Sequence, residues 1–321
     1  MSAESTPLQQ PTEDQGSLTT VLIAFGANLL IAVAKTIAAM ITSSASMVAE
    51  AAHSWADTGN EVLLLIADRS GRRGRDDGHP LGYGRDSYVW SMFAAFGLFT
   101  AGAVVSIMHG FQQLFAAEPG EHFLINYIVL AIAFVLEGTS FVQAFRQARG
   151  SADDTGAEHT LEYVLDTSNP TLRAVFFEDA AALIGVVLAA TGIAAHQLTG
   201  SPVPDALGSI AVGILLGVIA VVLIQRNRNF LLGQQISPEL RRTVLRELLA
   251  HPDVERITYL HVEFVGPSRV YLVAAVDLTG NEREHDLAVR LRGVERDLEG
   301  YAVIEEAVLT LATQDEPALE P

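Results

Sequence analysis

Cysteine is absent from all 321 residues. Disulfides and thiolate metal sites are therefore excluded together, and any metal must be held by nitrogen and oxygen donors. Basic charge is scarce as well: 20 Lys and Arg face 38 Asp and Glu, for a formal net charge of −18. Such an acidic chain is a poor partner for nucleic acid. What the sequence holds in quantity is apolar residues, 50% of the total, and they come in long runs. A bilayer-spanning helix needs roughly 20 mostly apolar residues. Six stretches qualify: 19–40, 46–67, 89–113, 124–146, 172–196 and 205–225. Each satisfies its own backbone hydrogen bonds as a helix, which hydrocarbon requires. The run from 19 lacks a basic leader, and an acidic, Pro-containing segment precedes it, so it reads as a span rather than a cleaved signal peptide.

Lys and Arg near helix ends set orientation. They gather in "DRSGRRGRDDGHPLGYGRDS" (68–87), "FRQARGSADD" (145–154) and "QRNRNF" (225–230). The connections "AAEPGEHF" (116–123) and "HQLTGSPVPD" (196–205) hold none. Both termini are thus expected in the cytoplasm, and the expected setting is a bacterial plasma membrane. Lys35 is the exception inside an apolar run. Snorkelling or pairing with an acidic neighbour is the plainer account of it, and a transport role the other.

Four regions follow: a disordered polar tail over 1–17, a membrane domain over 18–230, a soluble domain over 235–312, and an acidic tail over 313–321. Between spans four and five, "SADDTGAEHT" (151–160) is expected to be flexible and "LEYVLDTSNP" (161–170) to carry a short interfacial helix. "NP" at 169–170 marks entry to span five. Past 235 the pattern changes. "SPELRRTVLRELLAHP" (237–252) is an amphipathic helix with Ser237 as N-cap and Pro238 next. "VERITYLHVEFV" (254–265) and "RVYLVAAVDL" (269–278) are strands around a "GPS" turn. A helix over 281–300 and a strand over 301–312 complete an αββαβ order, which fits a small two-layer, ferredoxin-like α+β domain.

The stretch "SMVAEAAHSWADTGNEVLLL" (46–65) places Glu50, His53 and Asp57 in span two. His53 and Asp57, four apart, share one helical face and form a natural two-ligand arm. Glu50 lies on nearly the same stripe, and Asn60 is three beyond Asp57. Span five, "RAVFFEDAAALIG" (173–185), adds Glu178 and Asp179, and span four adds Glu137. Intramembrane ionisable residues are costly and face the bundle interior, a partner or a water-filled path. The competing account is a structural polar network without a ligand. Three or four N/O donors suit tetrahedral Zn²⁺, and imidazole argues against Ca²⁺ or Mg²⁺, while Fe²⁺, Co²⁺, Mn²⁺ and Ni²⁺ stay open. No HExxH or other catalytic motif accompanies these residues, so an enzyme is not expected.

Six spans, the H-x-x-x-D of span two, the Asp of span five and the αββαβ domain together resemble the cation diffusion facilitator family. "SMVAEAAHSWADTGNEVLLL", "HPLGYGRDSYVW" (79–90) and "FFEDAAALIG" (176–185) are most similar to its zinc transporter nine-like branch. The resemblance implies a proton-coupled efflux transporter of a divalent cation, with Zn²⁺ as cargo, no prosthetic group, the lipid bilayer as its setting, and a homodimeric state. A non-transporting membrane metal sensor or scaffold is the alternative. It also implies a metal site pairing [His/Asp]-x-x-x-Asp in span two with the same pattern in span five. The first pair falls on His53 and Asp57, and the last ligand on Asp179. The remaining position is Val175, which cannot bind metal. Glu178 is the substitute, though it points about 100° away from Asp179 around the helix, and a three-ligand site completed by water is the alternative. Glu50 and Glu137 stand as a candidate proton path. A second family site in the loop after span two maps onto Asp76 and His79, with Tyr83 where a second His would stand. In the soluble domain, His251, His261 and His285 do not match the family's metal-binding histidines.

Overall fold

A computed structural model describes residues 18–115, 122–155, 159–280 and 283–320. The expected tail at 1–17 lies outside them, as do most of the 116–123 connection and residues 156–158 of "SADDTGAEHT". The chain forms two compact units. One comprises Gly16–Arg69 and Ser87–Arg228, and the other gathers Ser70–Asp86 with Asn229–Pro321.

The first unit is helical. Its long elements are α1 (Leu18–Thr42), α2 (Ala45–Gly71), the pair α3 (Asp86–Ala94) and α4 (Thr100–Gln113), α5 (Phe123–Thr155), α7 (Pro170–Thr199) and α8 (Val203–Leu231); α6 (Thr160–Asp166) is short. Five segments among the described residues are long and apolar enough to cross a membrane: Phe25–Thr42, Asp86–Gln113, Phe123–Asp153, Pro170–Thr199 and Val203–Leu231. The sixth span, α2, has the length, but Glu50, Asp57 and Glu61 break its apolar run. It compensates by burying most of its polar face inside the unit. The protein is thus a six-span helical bundle with a small α+β unit.

Local chemistry sets the ends of these helices. Asn169 caps α7 by accepting from the backbone N–H of Thr171 and Leu172, with Pro170 at the first helical position. The cap of α2 comes from a distant element. Asp205, in the first turn of α8, accepts from Ala45 N (2.9 Å), Ser46 N (3.1 Å) and Ser44 Oγ (3.0 Å), while Ser46 Oγ donates to the Asp205 carbonyl. Backbones close up at this node: a Cβ on Gly208 of α8 would lie 2.5 Å from Ser46 Oγ.

Two local features depart from the sequence expectation. Residues Ala95–Phe99 form a π-helical turn between α3 and α4, a wider turn of the kind that interrupts α-helices at single sites. And α5 runs on to Thr155, through residues expected to be flexible. Its buried Ala148 packs with Val164 of α6 and with Leu172 and Phe176 of α7, and Ala152 is buried one turn later. Small apolar residues four apart give the polar extension a packing face.

In the second unit, α9 (Pro238–Ala250) is capped by Ser237, which accepts from Leu240 N. β1 (Val254–Gly266), β2 (Arg269–Leu278), α10 (Glu284–Glu299) and β3 (Ile304–Leu311) follow. The sheet order is β1-β2-β3, antiparallel between β1 and β2 and parallel between β2 and β3. The parallel pair needs a crossover, which α10 supplies. Leu245 and Leu248 of α9, Val294 and Leu298 of α10, and alternate strand residues such as Ile257, Leu272 and Val276 make one core. The loop after α2 belongs to this unit as well. Arg75 Nε bonds Glu305 Oε1 (2.7 Å), Arg85 bonds Glu263 (2.9 Å), and Arg269 also bonds Glu305. Partial burial works against charge on Glu305, yet the Arg75 and Arg269 bonds hold its carboxyl below the usual range.

Candidate metal site in the helix bundle

α2 carries its polar residues on one buried face: Glu50, His53, Asp57 and Asn60 recur at three- and four-residue spacing. His53 Nε2 lies 3.4 Å from Asp57 Oδ1, yet the geometry does not make a hydrogen bond. Both ring nitrogens and Asp57 Oδ1 are buried with no hydrogen-bond partner. Buried polar atoms are costly in that condition, which sets these three apart from the hydrogen-bonded polar atoms around them.

α7 supplies the facing carboxylates. Asp57, Glu178 and Asp179 line one small cavity of about 20 Å³, together with Asn28 of α1, Ser54 of α2 and Glu137 of α5. Asp179 Oδ2 accepts from Ser140 Oγ of α5 (2.8 Å), and Glu178 Oε2 accepts a short hydrogen bond from Asn60. Of the expected set His53, Asp57, Glu178 and Asp179, the last three line this cavity; His53 is not among its lining residues and stands beside Asp57. Val175 is not among the cavity's lining residues. Among the described residues no three His, Asp or Glu side chains already stand in metal-ligating geometry.

A charge triad shares Glu137 with the cavity. Lys35 Nζ of α1 bonds Glu50 Oε2 and Glu137 Oε1, each at 2.8 Å. Lys35 and Glu50 are fully buried and Glu137 nearly so. Lys35 thus pairs with acidic neighbours. α7 presses on the same spot: a Cβ on Gly185 would lie 2.5 Å from Glu50 Oε1 and 3.6 Å from His53 Nδ1, so a larger residue there would displace the Glu50 carboxylate.

Several polar neighbours escaped the sequence reading. Glu61 accepts from Asn28 Nδ2, and Ser140 holds Asp179. The one available signal was spacing, since Glu61 continues the four-residue step of His53 and Asp57. Asn28 and Ser140 are short polar residues whose importance depends on which helix faces them.

The loop residues Asp76 and His79 are close together and occupied with each other. Asp76 Oδ1 accepts from the backbone N–H of Gly78 (3.0 Å) and His79 (2.8 Å) and lies 3.2 Å from His79 Nδ1. Asp76 Oδ2 accepts from Tyr83 Oη (2.7 Å). The Tyr83 and His79 rings lie 3.9 Å apart, tilted by 33°, and the Arg73 guanidinium lies 4.0 Å from the Tyr83 ring centre. The Tyr83 hydroxyl, then the His79 and Gly78 donors, lower the Asp76 pKa to about 2. A carboxylate with a depressed pKa binds fewer protons folded than unfolded. Its contribution to the loop is complete above about pH 4 and is lost as pH falls toward 2. Tyr83→Phe should raise the Asp76 midpoint toward the ordinary aspartate value of about 3.9, read by carboxyl-carbon NMR titration with Asp76→Asn as the assignment control. In the soluble unit, His251 lies 3.4 Å from Asp297, His261 lies 3.3 Å from Glu263, and His285 is exposed.

Comparison with known proteins agrees with this architecture. The family model described as the cation efflux transmembrane domain matches residues 21–232. Metal tolerance protein C4 of Arabidopsis thaliana is 34% identical over 267 residues, 83% of this chain and 58% of that protein. The mitochondrial proton-coupled zinc antiporter SLC30A9 of Mus musculus is 35% identical over 260 residues, 81% of this chain and 46% of that protein, and its Homo sapiens counterpart gives the same figures. The chain spans about half the length of these curated relatives. With a membrane-domain match over most of its length and relatives above one-third identity, the chain belongs to the cation efflux, or cation diffusion facilitator, family, in the branch that holds the zinc transporter nine-like proteins.

Proposed function

We propose that the chain is a divalent cation efflux transporter, a Zn²⁺/H⁺ antiporter, whose cargo binds between α2 and α7. The observation that carries the proposal is the shared cavity: Asp57 of α2 and Glu178 and Asp179 of α7 line one small cavity, and His53 beside Asp57 brings two unpartnered ring nitrogens. His53, Asp57 and Asp179 are the ligands in this reading. Glu178 lies beside them with one oxygen engaged by Asn60. One imidazole and two or more carboxylates form a donor set suited to Zn²⁺, with Fe²⁺, Mn²⁺, Co²⁺ and Ni²⁺ as the alternative cargoes.

Such ligands bind metal only when deprotonated. Cargo enters with His53 neutral and the carboxylates ionised. Rearrangement of the bundle exposes the site on the far side, where protons displace the metal and reset the carrier. Imidazole suits the exchange because its ordinary titration lies near neutrality. The names of the mouse and human relatives support proton coupling and zinc as cargo. The distribution of Lys and Arg among the connections supports cytoplasmic termini, and a bacterial plasma membrane is the proposed setting. The family resemblance favours a homodimer.

A non-transporting metal sensor or scaffold is the second reading, favoured by Val175 at a usual ligand position. Proteoliposomes separate the two. Antiport predicts that a Zn²⁺ gradient drives proton movement, read by an entrapped pH dye, and that a proton gradient drives Zn²⁺ uptake. A scaffold shows neither.

A further inference from the structure

We infer that Glu137 of α5 is a ligand of the transported cation, taking the place of the donor missing at Val175, and that Lys35 is the residue that positions it. The inference rests on the α2–α7 reading above and extends the site to a third helix.

Three observations converge on Glu137. It is 8% exposed, and its Oε2 is buried with no hydrogen-bond partner. It lines the same cavity as Asp57, Glu178 and Asp179. And its face of α5 addresses α7 at this level, because Ser140, three residues on and on the same face, donates to Asp179 Oδ2.

The two carboxylate oxygens are unequally served. Oε1 accepts from Lys35 Nζ at 2.8 Å, and Lys35 is anchored in turn by Glu50. A side chain gripped through one oxygen loses little further rotamer freedom on binding metal through the other. Lys35 also offsets the cost of keeping a carboxylate in an apolar bundle. Glu178 is also held through one oxygen, but by the neutral Asn60 amide rather than by an ammonium, and its other oxygen is not among the buried unpartnered atoms. The resulting donor set, His53 nitrogen with Asp57, Asp179 and Glu137 oxygens, is weighted toward oxygen.

The test uses full-length protein in detergent, titrated with Co²⁺ and followed by its visible ligand-field absorption, with Zn²⁺ affinity from calorimetry. Glu137→Gln should weaken both metals by more than about 100-fold, beyond the loss typical of a residue one step removed from the metal, and change the Co²⁺ band shape and intensity. Wild-type affinity and spectrum would overturn the inference. Should Glu137→Gln not fold, Glu137→Asp keeps the charge and shortens the reach. An altered spectrum in that variant supports the inference, and a wild-type one overturns it. Asp57→Asn separates the two readings. If it loses Co²⁺ while both Glu137 variants bind as wild type, only the role of Glu137 fails. If Asp57→Asn itself binds as wild type, the α2–α7 site fails and this inference with it.

Discussion

Zinc uptake into inverted vesicles is expected to vanish in His53→Ala and in Asp57→Asn, while both proteins remain folded. The expectation of folding comes from the same atoms that make the site reactive. Neither His53 nitrogen has a hydrogen-bond partner, and Asp57 Oδ1 has none either. Removing them leaves no buried partner stranded, which is the usual source of large destabilisation. The expectation of lost flux comes from ligand count. Residues one step removed from a metal typically cost 10- to 100-fold in affinity, so loss of a direct ligand should leave less than about 1% of wild-type uptake. Monodisperse elution in size-exclusion chromatography, with flux at background, is the predicted pair of results. Wild-type flux in both variants would place the transport site elsewhere.

The half of the site on α2 was legible because helical spacing is local: His53 and Asp57 announce a shared face whatever packs against it. The other half, Asp179 and Glu178, came from the family resemblance and not from spacing. Whether Asp179, Glu178 or Glu137 meets that face depends on how α5 and α7 pack against α2, and no spacing rule contains that. Lys35 was visible as an anomaly, but its two partners lie 15 and 102 residues away in sequence. The soluble unit was easier to read, since strands and amphipathic helices carry their periodicity openly, and β2 falls on the expected 269–278. The basic loop after α2 was legible only as charge. That Arg75 and Arg85 are spent on Glu305 and Glu263 required the fold. The continuation of α5 past residue 150 was hidden for a similar reason, because Ala148 and Ala152 become a packing face only against α6 and α7.

Lys35→Met should be the most destabilising single change in the bundle. It removes the one cation shared by Glu50 and Glu137 while filling similar volume, so the effect isolates charge from packing. Breaking a buried ion pair from one side costs about 3–5 kcal/mol, because the remaining charge stays buried without compensation. Here two carboxylates are stranded together, and Glu50 is fully buried. A fall in detergent melting temperature of roughly 10 °C is expected, with Lys35→Arg recovering most of it. An unchanged melting temperature in Lys35→Met would mean that the triad carries no net stabilisation and that the ammonium serves only to orient Glu137.

The node at Ser44–Ser46, where Asp205 caps α2 and Gly208 admits the Ser46 hydroxyl, makes that end of α2 a fulcrum. Asp57 lies eleven residues along the lever, about 16 Å away at the helical rise, so a tilt of about 10° displaces it by about 3 Å. In the proposed transport cycle a tilt of that size would be large enough to make or break coordination at Asp57, with the Asp205 grip on the helix end as its pivot.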